Sequence, residues 1–207
     1  MKVLRYGIAV VTLALSCAVF ADAQAGFNAY FGMGTAHAGS TNQSIDILGT
    51  GVAQPTSSLG GVFGTFGGGV MLNGHFGVGA EMSLRFTQGN YAGAGYRPIF
   101  YDFNGLWTPS LGEKHIVPEI QAGFGGVDLR FYGGQQYCDP YTGFCSNFAG
   151  SSNHLQLHAG LGLRIFVKDH IFVRPAFDYH WVRNLNEFSS GSVPEYTLAI
   201  GYSSSGR

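Results

Sequence analysis

The side chains of this 207-residue chain that could do chemistry recur at every second position of short segments whose intervening residues are apolar. Glu81, Arg85, Asp102, Glu119, Asp128, Arg130, Arg164, Arg174 and Asp178 share that polar parity, together with Asn104, Gln121, Gln156, His158, His180 and Glu195. Charges of both signs on one face make ion pairing the first chemistry to consider. Buried charges are costly unless paired and hydrogen-bonded, so a single ion-pair network is expected. The histidines offer a second chemistry. If Lys168-Asp169-His170 is a three-residue turn that pairs Val167 with Ile171, His158 stands opposite His180 and Arg164 opposite Arg174. Cross-strand Cβ atoms lie about 4.5–5.5 Å apart, close enough for two imidazoles to share a proton or a metal ion. A metal needs a third ligand, which only Asp178 offers, so the expectation is a hydrogen-bonded histidine pair with no metal. The facing arginines need a carboxylate such as Glu119 or Asp178.

Period-two segments are strands, and they position these groups. In 76–87, Phe76, Val78, Ala80, Met82, Leu84 and Phe86 form one wall, with Glu81, Ser83 and Arg85 on the other. Segments 27–36, 61–72, 97–108, 116–132, 155–167, 171–182 and 195–202 read the same way. Their connectors alternate between short (Asn73-Gly74-His75, 109–115, Lys168-Asp169-His170) and long, polar ones (37–59, 88–96, 133–154, 183–194). An even strand number, tight turns at one end and long loops at the other describe an all-β, eight-stranded antiparallel up-and-down transmembrane β-barrel. The face continuity of 61–72 and 76–87 calls for a three-residue turn or a bulge between them. In 116–132 the apolar parity changes at Gly125-Gly126, which predicts a bulge there.

Composition supports lipid as the outer solvent. Charged residues are 11% of the chain, well below the ~25% of a soluble domain, while 45% hydrophobic and 14% aromatic content argue against disorder. The three lysines, Lys2, Lys114 and Lys168, avoid the strand faces, which disfavours a soluble, ligand-holding barrel. A net charge of −1 argues against a nucleic-acid partner. At the N-terminus, Lys2 and Arg5 precede an apolar run that ends near Ala23-Gln24-Ala25. Residues 1–25 are therefore expected to be a cleaved secretory signal and 26–207 the barrel domain. Trp107 and Trp181 fall at opposite ends of outward-facing strand walls, where amphipathic rings mark the two membrane interfaces.

This architecture resembles the small outer-membrane barrels of the outer membrane protein A transmembrane-domain and opacity-protein type. The most specific element is the last strand, where Tyr196, Leu198, Ile200 and Tyr202 match the family's assembly signal, although Ser203 to Arg207 extend beyond the closing aromatic. The resemblance implies a bacterial outer-membrane location and a monomer in contact with membrane lipid and lipopolysaccharide. It also implies recognition by the barrel insertion machinery during assembly.

Function is read from the lumen and the loops. Eight strands leave an interior just wide enough to be filled by side chains, so the charges are expected to plug it. A structural or surface-contact role through four outer loops follows, with a narrow channel as the alternative. A lipid A-modifying enzyme is the weaker reading. Its histidine, serine and carboxylate would have to be His180, Ser189 or Ser190, and Glu187, and His180 has inward parity. No His-x-Ser pair lies on a lipid-facing strand, and no phosphate-binding glycine loop is read, because the glycine runs lie in strands with no helix after them; no catalytic residue and no cofactor is assigned. Cys138 and Cys145, in the third outer loop, are expected to form a disulfide after passage through an oxidising periplasm. The loops carry no code that names an extracellular ligand.

Overall fold

Alternation at period two becomes strand in the computed structural model, which describes residues 26–38, 44–46, 51, 53–109, 115–141, 143, 145–185, 188 and 190–205. The strands are β1 (Phe27–Ala36), β2 (Ser44–Ile45), β3 (Gln54–Pro55), β4 (Gly61–Met71), β5 (Phe76–Arg85), β6 (Gly89–Tyr91), β7 (Ala94–Trp107), β8 (Ile116–Cys138), β9 (Cys145–Lys168), β10 (Ile171–Val182) and β11 (Ser192–Ser203). Eight of them close a ring in the order β1-β4-β5-β7-β8-β9-β10-β11, all antiparallel, with β11 returning to pair with β1. Closure removes the open edges that a sheet would otherwise expose. The short strands lie in connectors, where β2 pairs with β3 and β6 extends the pairing of β7. The expected signal segment, with Cys17, lies outside the described residues.

The ring is inside-out relative to a soluble protein. Phe31, Phe124, Leu161 and Leu198 are each more than half exposed on the outer wall, while Gln156, Arg174, Asp178 and Glu195 are fully buried. Each large apolar side chain left in water forgoes about 1.5–3 kcal/mol, so only an apolar solvent stabilises this arrangement. Trp107 and Tyr202 sit on the outer wall at the end that holds the short turns, and Trp181 sits on it at the other.

Turn chemistry sets the registers. Asn73 Oδ1 accepts from the backbone N–H groups of His75 (2.8 Å) and Phe76 (2.7 Å), and Leu72 N–H donates to Phe76 O (2.8 Å). This is the three-residue turn that face continuity requires. Between β9 and β10 the structure differs from expectation. Lys168 pairs with Ile171 across a two-residue turn, and a one-residue shift follows, so that Phe172 pairs with Phe166. Val167 is the extra residue, and the bulge restores the register that a three-residue turn would have given.

Two further expectations are corrected on β8. No bulge occurs at Gly125-Gly126, since the register runs unbroken from Ile120 to Phe131 against β7 and from Ile116 to Phe131 against β9. The apolar residues change sides because the solvent changes. Above the lipid band water bathes the outer wall, so Asp128 and Arg130 face outward and Val127 and Leu129 turn into the interior. Segment 133–154, read as a loop, is largely strand. Beyond Tyr132 on β8 and Gln156 on β9 the ladders to β7 and β10 end, and the two strands continue as a ribbon with Tyr137 opposite Ser146 and Cys138 opposite Cys145.

A disulfide joins Cys138 to Cys145 at the ribbon tip. Its small loop contributes about 2–3 kcal/mol of local constraint. Because it lies outside the ring, reduction should leave the barrel intact. Mass spectrometry of the non-reduced protein that begins at Gly26 should find no alkylatable thiol, and two after reduction, with the heat-dependent gel shift of the folded barrel unchanged. Two reactive thiols before reduction would contradict the assignment.

Candidate functional site in the lumen

Every strand of the ring sends at least one polar side chain into a single interior network. Towards the short-turn end, Arg174 Nε on β10 donates to Glu119 Oε1 on β8 at 3.0 Å, and Arg164 Nε on β9 lies 3.3 Å from Glu119 Oε2. One carboxylate thus holds the two facing arginines. Arg174 also reaches across the barrel, with Nη1 3.6 Å from Glu81 Oε2 on β5 and its guanidinium 4.4 Å from the ring centroid of Tyr30 on β1. The Tyr30 hydroxyl donates to Glu81.

In the middle layer, Gln121 donates to Asp178 Oδ1 at 2.7 Å, and His158 Nε2 lies 3.2 Å from the same oxygen. His158 Nδ1 is 2.9 Å from Asn104 Oδ1. Above it, Gln156 donates to Asp102 Oδ1 at 2.6 Å. Glu195 Oε1 accepts from Ser83 (3.0 Å) and from Thr65 (3.3 Å), which brings β11 against β5 and β4. His180 Nε2 is 3.4 Å from Glu195 Oε2, and its Nδ1 is 3.8 Å from Asp102 Oδ2.

The expected register places His158 opposite His180, and the two rings stack with centroids 4.8 Å apart and planes 19° apart. Phe100 continues the stack at 4.8 Å on the far side of His180. Asp102, rather than Asp178, lies with both histidines in the spacing a metal would require. The stacking disfavours coordination, because a ligated metal lies near the plane of each imidazole, and two nearly parallel planes at this separation share no such point.

Three residues expected in the network stand elsewhere. Asp128 and Arg130 pair with each other on the outer wall at 3.0 Å, as the change of solvent along β8 dictates. Arg85 is partly buried near the loop end, where its Nη1 donates to the backbone carbonyl of Ser58 at 3.3 Å and its guanidinium covers the ring of Tyr96. Tyr96 donates to the same carbonyl. Arg85 therefore ties the first outer connector to the rim. Of the groups considered for acyl transfer, Glu187 and Ser189 lie outside the described residues. His180 is enclosed among Asp102, Glu195 and Phe100.

Apolar layers, absent from the sequence reading, bound the network at both ends. Phe63, Phe100, Val127, Leu129, Val182 and Val193 fill the interior towards the loops, and Phe166, Phe172 and Ala199 fill it towards the short turns. Their signal was present, since Phe100 has the same parity as Asp102 and Phe172 the same parity as Arg174. Above the outer layer the mouth widens into a cup of about 630 Å³ bordered by Tyr91, Phe131, His154, Leu185 and Phe188.

Close packing leaves no room for a side chain at Gly160. A Cβ at Gly160 would lie 2.0 Å from Asp178 Oδ1 and 2.9 Å from Gln121. Gly160→Ala should push Asp178 off both Gln121 and His158 and destabilise the barrel by about 2–4 kcal/mol, the cost of overpacking plus a disrupted buried hydrogen bond. Urea unfolding of the micelle-folded protein measures this. An unchanged midpoint would show that the Asp178 contacts contribute little.

Comparison with known proteins follows the same architecture. No curated protein sequence matches the chain. Among solved structures it is similar to OprG of Pseudomonas aeruginosa, at 14% identity and a TM-score of 0.54 over 87% of this chain and 96% of that one. It is also similar to neisserial surface protein A, at 11% identity and a TM-score of 0.53 over 86% and 95%. A third is Ail, the attachment invasion locus protein of Yersinia pestis, in complex with the heparin analogue sucrose octasulfate, at 12% identity and a TM-score of 0.52 over 87% and 99%. At these identities the likeness is one of fold. The model of the outer membrane protein beta-barrel domain matches residues 7–203, and the chain therefore belongs to that family of bacterial outer-membrane proteins.

Proposed function

We propose that this protein is a plugged outer-membrane barrel with a structural or surface-contact role, in which the ring anchors the ribbon formed by the ends of β8 and β9 and the other outer connectors. The observation that carries this reading is the lumen, where a cross-linked polar network lies between two apolar layers. In the same reading residues 1–25 are a cleaved secretory signal, Tyr196 to Tyr202 are the segment the insertion machinery recognises, and the barrel acts as a monomer. The ribbon suits surface contact because Tyr141 at its tip is almost fully exposed and the disulfide holds that tip in shape.

A narrow channel is the second reading, favoured by the two carboxylates, Glu119 and Glu81, between which Arg174 could exchange. Planar-bilayer recording of verified folded protein separates the two. The plugged reading predicts silence in most insertions, before and after Arg174→Ala, because the apolar layers at both ends stay in place. Stable single-channel steps from the unaltered protein would establish the channel instead. Excising 134–149 should leave folding unchanged and abolish attachment of expressing cells to the surface they bind, whereas attachment that survives would remove the ribbon from this role.

A further inference from the structure

The outer wall carries a charge arrangement that the lumen does not use. Arg97 on β7 and Arg130 on β8 are direct cross-strand partners, and both face outward. Like charges directly opposite each other destabilise a sheet unless an anion lies between or beside them. Asp128 supplies one carboxylate, 3.0 Å from Arg130 Nε. Arg97 spreads its guanidinium over the ring of Tyr132, at 5.9 Å to the centroid, and donates from Nη2 to Phe86 O at 3.3 Å. Its Nε is buried with no hydrogen-bond partner among the described residues. The pair therefore retains one uncompensated positive charge.

Height fixes the anion this pair would meet. The outward row of β8 is apolar from Ile116 through Ile120 to Phe124. At about 3.3 Å per residue and a strand tilt near 40°, each residue climbs roughly 2.5 Å. If Ile116 marks one edge, the ~25 Å apolar band ends near Gly126, and Asp128 and Arg130 stand about 5 and 10 Å above it, in the headgroup layer. Tyr101 marks the same boundary. It lies across the bare Gly126 and donates its hydroxyl to Asn153 Oδ1 at 2.9 Å. Directly below runs a lipid-facing row of Phe103, Phe124 and Leu157, each more than 50% exposed.

We propose that Arg97 and Arg130 form a site on the outer wall for a phosphate group of the outer-leaflet glycolipid, whose acyl chains lie along the row of Phe103, Phe124 and Leu157. The proposal rests on the outer-membrane reading and gives its lipopolysaccharide partner a place on the molecule. Two adjacent guanidiniums match the oxygens of a phosphate, which can accept from both. A free phosphate offers the same headgroup chemistry without the acyl chains, so the two sources are separable.

The test uses the full barrel folded in neutral detergent and titrated with bisphosphorylated lipid A, fully dephosphorylated lipid A and inorganic phosphate, with binding read by native mass spectrometry. The folded protein should bind the bisphosphorylated lipid at least about tenfold tighter than the dephosphorylated one, as expected for charge-assisted hydrogen bonds. Inorganic phosphate at the same concentration should not compete. The double variant Arg97→Ala/Arg130→Ala should lose the preference, and Asp128→Asn, which frees Arg130, should strengthen it. Equal binding of the two lipids by the unaltered protein, a preference that survives the double variant, or a weaker preference in Asp128→Asn would overturn the site. Competition by equimolar inorganic phosphate would make it a site for soluble anions and overturn the lipid assignment. The heat-dependent gel shift is recorded for each protein. If the double variant lacks it, Arg130→Gln and Asp128→Asn carry the test through their opposite signs. Failure of the unaltered chain to fold in detergent would instead count against the barrel reading.

Discussion

Glu119, with Arg164 on one carboxylate oxygen and Arg174 on the other, is the interaction on which the interior depends. Lipid outside the ring requires an apolar outer wall, and period-two alternation then delivers polar side chains to the inside whether or not they are needed there. Eight strands leave them no bulk water to face. The network is thus the consequence of two constraints, an apolar solvent without and a narrow lumen within. A buried cation with one carboxylate removed is destabilised by several kcal/mol, so the partners are mutually obligatory. Arg174 carries this coupling furthest, because its contacts with Glu119, Glu81 and Tyr30 join β10 to β8, β5 and β1.

The apolar layers separate the polar core from bulk water. Phe63, Phe100 and Leu129 on one side and Phe166 and Phe172 on the other exclude solvent from both ends, which strengthens every electrostatic contact between them. In the plugged reading the same exclusion closes the lumen to solutes. Chemistry directed at other molecules is thereby left to the outer wall and the outer connectors. There, Asp128 and Arg130 pair on the outer wall beyond its apolar row, and the disulfide-tipped ribbon extends past them.

Much of this was legible in the sequence, and the misreadings share a physical cause. The walls of 76–87 and 155–167 could be read directly because one apolar solvent covers their outer face along nearly the whole length. The His158–His180 pairing was legible even though the turn was not, since the bulge at Val167 cancels the shorter turn. Asp128 and Arg130 were misplaced because parity was read as if lipid extended along all of β8, whereas above the band polar residues belong outside. Arg85 has the expected parity, yet it lies near the rim, where a backbone carbonyl takes the place of a carboxylate. The ribbon from Gly133 to Asn153 gave no signal, because with water on both faces a strand has no reason to alternate, and Gly, Gln, Ser and Asn read as loop. Tyr30 and Thr65 give no signal of their role, and Ser83 none beyond its polar parity, because uncharged residues on the inner parity look like filler until their partners Glu81 and Glu195 are seen beside them.

The central claim is that interior charges from different strands are energetically coupled and so hold the lumen closed. A double-mutant cycle on Glu119→Ala and Arg174→Ala, with unfolding free energies measured in urea for the micelle-folded barrel, tests it most directly. Each single change should cost about 3–5 kcal/mol by taking one of two ion-pair partners from a buried charge, and the double change should cost less than the sum by at least roughly 1.5 kcal/mol. Costs that add to within about 0.5 kcal/mol would contradict the account, because they would mean that the two residues do not act as a pair.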